Sequence, residues 1–264
     1  METPRLRVGM ALQLGDALGR GARRSASTSG LAILALTVLY QFALLGALNT
    51  VVVNLLPSGV DPAEVGSIGF SLPLSTDGAL VLLVASFLFG TGVFLVAARL
   101  LARDTTALGS LPAEAFTHRL GRGLLSLLVV NLVLAVTIPL GLALLVVPGL
   151  FLAVSFQFAV FAVAVEDRGP VAALRRSWAL ASGDRWRVLA LVVLFAVVGG
   201  VSGALGSALS LADPLVGQLA SMGATSVFLV LMYGVLADAF LQLRDEPLLG
   251  RGGGSSGTTN ADAL

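Results

Sequence analysis

From Leu124 to Val165 the chain carries no charged residue, and this run limits what the chain can become more than any other feature. Drawn as a single helix at about 1.5 Å per residue it would be about 60 Å long, twice the roughly 30 Å of bilayer hydrocarbon. It therefore has to fold back as a helical hairpin. Pro148-Gly149 is the expected turn, giving one span at Leu124 to Val147 and the next at Pro148 to Val165. Inside hydrocarbon every backbone N–H and C=O must find its partner within the segment, which leaves a chain of this kind the helix. Pro139 predicts a kink in the first arm, because proline has no donor and its ring crowds the preceding turn.

Four further runs are long and apolar enough to cross: 31–56, 79–98, 188–210 and 215–241. Only 12% of residues are charged and 56% are hydrophobic, whereas about a quarter of a soluble domain is charged. The sequence thus predicts an all-α fold, a six-transmembrane-helix bundle over residues 1–243, with a low-complexity tail, 244–264, expected to be disordered. A secretory signal peptide is the rival reading of the N-terminus. The run 31–56 exceeds the apolar core of about 7 to 15 residues that such a peptide carries.

Charge placement orients the bundle. All sixteen basic residues besides His118 are arginines. Arg5, Arg7, Arg20, Arg23 and Arg24 precede the first span, and Arg99, Arg103, Arg119 and Arg122 separate the second from the third. Arg168, Arg175, Arg176, Arg185 and Arg187 separate the fourth from the fifth, and Arg244 and Arg251 follow the sixth. The remaining connections, 57–78 with Asp61, Glu64 and Asp77 and a short turn with Asp213, hold none. By the positive-inside rule both termini are cytoplasmic and the protein is a multi-pass component of the cell membrane. A short arginine-bearing segment followed by a hairpin occurs three times, over 8–98, 112–165 and 170–241, which suggests three pseudo-repeats.

The stretch after the fourth span is the most distinctive. Glu166, Asp167 and Arg168 end the span, and Gly169-Pro170 starts a short helix at which proline loses no needed N–H. Val171, Leu174 and Trp178 fall on one face of that helix and Arg175 and Arg176 on another, as expected of a helix lying flat on a membrane. Gly183 closes it, and Trp186 and Arg187 mark the headgroup level where the fifth span begins. The pattern Pro148, Gly149, Glu166, Gly169, Leu174, Arg175, Arg176, Ser177, Trp178, Leu180, Gly183, Trp186 and Arg187 resembles an uncharacterised polytopic membrane-domain family. That family includes the membrane domain fused to some bacterial glycerophosphodiester phosphodiesterases. The resemblance covers about forty residues and implies a multi-helix membrane domain without an established activity. This sequence departs from it in lacking the catalytic phosphodiesterase domain and in carrying Ser155 where relatives often carry a basic residue.

Nothing in the chain predicts an enzyme. There is no cysteine, no metal-binding pattern, no phosphate loop and no nucleophile motif, so no cofactor and no metal are expected. His118 sits in a loop and reads as solvated. Polar residues do lie within the spans: Tyr40, Gln41, Thr91, Asn131, Gln157 and Tyr233, about 12 to 16 Å from the arginine side, and the shallower Asp238, within reach of water or Arg244. They read either as interhelical hydrogen bonds of about 0.6 kcal/mol each or as the lining of a pathway. Two staggered rows in the fifth span, Gly199, Gly203, Ser207 and Ser202, Gly206, Ser210, predict close helix contact, so that leucine at Gly203 should disrupt packing. Ser86 and Gly90 form a similar pair in the second span.

Three functions compete. The first is a non-enzymatic scaffold or lipid-interacting domain that grips anionic headgroups through Arg175, Arg176, Trp178, Trp186 and Arg187. The second is a small-solute transporter or export component using the polar belt, and the third a regulatory membrane module for a separately encoded enzyme. Membrane lipids, anionic at the cytoplasmic face, are the expected partners, and nucleic acid is not.

Overall fold

A computed structural model describes residues 14–60 and 69–245, and all regular structure among them is helical. The elements are α1 (Leu14–Ser25), α2 (Thr28–Leu55), α3 (Thr76–Leu101), α4 (Glu114–Thr117), α5 (Leu120–Leu144), α6 (Val146–Phe156), α7 (Ala159–Ala164), α8 (Pro170–Ala181), α9 (Arg185–Ser210) and α10 (Pro214–Asp245). The stretch before Leu14, the acids Asp61 and Glu64, and the tail beyond Asp245 lie outside the described residues.

Six segments have the length and apolarity of membrane spans: Thr28–Leu55, Thr76–Leu101, Leu120–Leu144, Val147–Ala164, Arg185–Ser210 and Pro214–Arg244. The protein is a multi-pass helical membrane protein. Its helices start earlier than hydropathy alone suggests, because caps set their ends. Ser27 and Ser75 accept the backbone N–H of Gly30 and Gly78 at 3.2 Å, and Asp213 accepts those of Leu215 and Val216 beside Pro214. The element order repeats a short helix and a hairpin three times, led by α1, α4 and α8. The second short helix ends at Thr117; Arg119 adopts a left-handed φ of 44° and α5 begins immediately after it.

The hairpin that the uncharged run requires is present, but its turn falls at Leu145, not at Pro148-Gly149. Pro148 occupies the first turn of α6, where a missing N–H costs nothing. The role of Gly149 is close approach: a side chain there would collide with Leu142, and one at Gly141 would come 2.9 Å from the Gly149 Cα. Pro139 lies within α5, which continues to Leu144. The fourth span is not one helix, for Gln157 and Phe158 separate α6 from α7. Nor does the hairpin stand upright beside α9. A parallel arrangement would hold its tip about 30 Å from the start of α9, yet Val147, Leu150, Phe151 and Val154 border one cavity with Arg185, Trp186 and Leu189.

Close backbone contacts decide the rest of the packing. α1 crosses α10 where Gly21 meets Val235 and Gly234 meets Gly21 and Ser25, and Ser25 Oγ donates to the Val230 carbonyl at 3.0 Å. Gly90 of the expected pair in α3 abuts the Tyr40 ring, and Ser86 is buried. The expectation for Gly203 is overturned: a side chain there would meet nothing within 4 Å. Gly206, against Ser221, and Ser210, against Gly217, form the contact with α10. A side chain at Gly199 of the other row would only touch the Phe228 ring at 3.4 Å, and α9 buries little besides Val188, Leu191 and Gly206, with 11% of its apolar window buried against 50% for α10.

Candidate functional site

The arginines explain one end of the bundle. A guanidinium has five N–H donors, and the last four carbonyls of every helix lack intrahelical partners. Arg24, 5% exposed, donates to the Leu101 and Arg103 carbonyls just where α3 ends, at 2.8 and 2.5 Å. Arg99 donates to the carbonyls of Ala164, at the end of α7, and of Ala115 and His118, around α4. It also faces Asp167 at 3.7 Å. Cations at helix C-termini are favoured by the helix dipole as well. His118, expected to be merely solvated, points Nε2 at Asp167 Oδ2, 3.1 Å away.

Asp238 is buried within the sixth span, and the structure supplies its partners from α1. Arg20 Nε donates to both oxygens at 3.0 and 3.1 Å. Arg24 Nε stands 3.5 Å from Oδ1 as an ion pair without hydrogen-bond geometry, and Gln242 donates to Oδ2 at 2.7 Å. The hydrogen bond to Asp238 raises the Arg20 guanidinium above its ordinary value, more than burial lowers it. The sequence held a signal for this cluster. A carboxylate in a span needs a cation, and Arg20 and Arg24 stand i, i+4 on one face of α1 with Ala17 and Gly21, all but Arg20 buried.

The motif after the fourth span builds the break between α6 and α7. Ser177 Oγ accepts the Phe158 N–H at 3.1 Å and donates to the Ser155 carbonyl at 2.9 Å, satisfying backbone groups that the interruption leaves without helical partners. Glu166 accepts from Arg176 at 3.1 and 3.2 Å and also pairs with Arg168. Gly169 precedes Pro170 at the start of α8. The buried face of α8 is Ala173, Ser177, Leu180 and Ala181, with Leu174 partly buried. Val171 and Trp178, expected to face the membrane from a helix lying flat on it, lie outside that buried face and are 61% and 39% exposed. The reason is the small face: alanine and serine let α8 lie close to α6 and α7, and the bulky side chains fall outside the contact. Trp178 instead packs edge-on against Phe151 and tilts against Phe156. Gly183 has no atom near a would-be side chain, and Trp186 is 83% exposed.

The headgroup candidates therefore separate. Arg176 is engaged by Glu166, and Arg187 by Asp184 at 2.6 Å. Arg175 is exposed. So are Arg23, Arg119 and Arg122, with no ion pair among the described residues. The polar belt separates too. Gln41 donates to the Met222 carbonyl and Ser226 Oγ of α10, and Thr91 to the Phe87 carbonyl of its own helix. Tyr40 and Tyr233 join a run of rings through Phe94, with centroids 5.7 and 5.3 Å apart, that continues to Phe161. Asn131 is half-buried and has no hydrogen bond among the described residues. Gln157 and Tyr233 line a cavity of about 170 Å³ at the broken span. Among the described residues no group of three or more His, Cys, Asp or Glu could hold a metal.

One family model matches the chain, over residues 12–243, and is described as a domain of unknown function, DUF7847. No curated protein and no solved structure matches it.

Proposed function

We propose the following for a chain that belongs to the DUF7847 family and carries six helices able to cross a membrane: it is a non-enzymatic, lipid-interacting scaffold of the cell membrane. In this reading both termini are cytoplasmic, and the likeness to the membrane domain fused to glycerophosphodiester phosphodiesterases is one of architecture. The observation that carries it is the division of the arginines. Arg24, Arg99 and Arg176 are consumed by carbonyls and acids, while Arg23, Arg119, Arg122 and Arg175 are exposed on the arginine-bearing segments. An exposed arginine near an anionic leaflet contributes about 1 kcal/mol to its attraction, so the four supply a surface that prefers anionic lipid.

The test is native mass spectrometry of protein extracted in mild detergent. The variant with Arg23, Arg119, Arg122 and Arg175 all changed to Gln should retain less phosphatidylglycerol than the wild type, with phosphatidylcholine retention unaltered. Equal phosphatidylglycerol retention would sink the proposal.

The cavity beside Gln157 and Tyr233 favours a second reading. Transporter sites are built at interrupted helices, and here a polar amide and a phenol border a space at the α6–α7 break. Saturable uptake of a small solute by vesicles holding the wild type, lost in Gln157→Leu, is the outcome that this reading requires.

A further inference from the structure

A second cavity, of about 270 Å³, lies between α6 and α9. Val147, Leu150 and Val154 form one wall and Leu189 and Trp186 the other, all apolar. At its edge stands Arg185, whose guanidinium carbon is 4.8 Å from the Phe151 ring centroid and 5.0 Å from that of Trp178. Cation–π contact holds the group in place without neutralising it. The nearest acid in sequence, Asp184, is taken by Arg187, and Arg185 has no ion pair or hydrogen bond of its own among the described residues, its Nε being buried without a partner. A cation set among apolar groups with no counter-ion is costly unless an anion joins it.

The surroundings identify the class of anion. Val147 and Trp186 of the cavity lining are 76% and 83% exposed, which in a membrane protein means that they face lipid. A free phosphate would satisfy the guanidinium and leave the apolar space unused. The volume is near the lower end of ligand cavities, about 300 Å³, so it suits a single chain. We infer that this cavity receives one acyl chain of an anionic phospholipid whose phosphate pairs with the Arg185 Nη atoms, an inference that rests on the lipid-binding reading above. A guanidinium binds phosphate through paired, charge-assisted hydrogen bonds, and the tail continues into the space behind it.

The experiment titrates phosphatidylglycerol into the delipidated full-length protein and follows the first bound lipid by native mass spectrometry. Arg185→Gln should weaken that first binding event about tenfold or more, and Arg185→Lys should recover part of it. Leu150→Trp, which fills the cavity and leaves Arg185 in place, should weaken it to a similar degree, and millimolar inorganic phosphate should not displace the bound lipid. Unchanged binding in Leu150→Trp overturns the inference, as does displacement by inorganic phosphate. Should Arg185→Gln fail to fold, Leu150→Trp and the phosphate competition still decide. If the variant lacking the four exposed arginines loses lipid while Arg185→Gln and Leu150→Trp do not, this site is refuted and the surface reading stands. If no variant loses lipid, both fall.

Discussion

The Asp238 cluster allows a quantitative test of what holds α1 against the bundle. The side chains of Asp238 and Arg24 are 5% and 6% exposed, and the charged atoms are 3.5 Å apart. At an effective dielectric of about 20, their attraction is about 5 kcal/mol before desolvation is subtracted. Removing one member of such a pair leaves the other charge buried, at a cost of about 3 to 5 kcal/mol. Arg24 keeps the Leu101 and Arg103 carbonyls, so Asp238→Asn should fall at the low end, about 3 kcal/mol. Arg24→Gln should cost a similar amount. Arg20, whose side chain is 42% exposed, is screened by solvent, and its loss should cost about 0.5 to 1 kcal/mol. The decisive quantity is the coupling. The double variant Arg24→Gln with Asp238→Asn should be less damaged than the sum of the singles by about 1 to 3 kcal/mol, because the second change removes a charge that the first left stranded. Denaturant unfolding in mild detergent, followed by tryptophan fluorescence for all four proteins, measures it. Strict additivity would refute the claim that the two charges hold each other.

Two further outcomes are expected. Gly206→Leu should lower the unfolding midpoint in detergent well below that of Gly203→Leu, since only the former drives a side chain into Ser221; equal midpoints would mean that α9 meets α10 through another face. Cysteines introduced at Ser58 and Asp213, both exposed on arginine-free connections, should react with a membrane-impermeant maleimide in intact cells, and cysteines at Thr106 and Ser182 only after permeabilisation. Labelling of Thr106 in intact cells would reverse or break the proposed topology.

The sequence alone determined that the chain is helical, that it has six apolar runs able to cross a membrane, and that the uncharged run 124–165 must double back. Those conclusions depend on quantities that local composition carries: the length of an apolar run against the thickness of hydrocarbon, and the cost of a charge or an unpaired backbone group within it. It also showed that Asp238 would need a partner. Which partner it has, whether Gly206 or Gly203 meets α10, which arginines are spent on helix ends and which remain exposed, and that α6 leans onto the start of α9 were decided by the tertiary structure. In water, the apolar stripe of a helix reveals the face that will be buried. In lipid, the exposed faces of α5 and α9 are as apolar as the buried ones, so periodicity carries no face, and the packing follows from shape and from a few polar contacts between residues far apart in the chain.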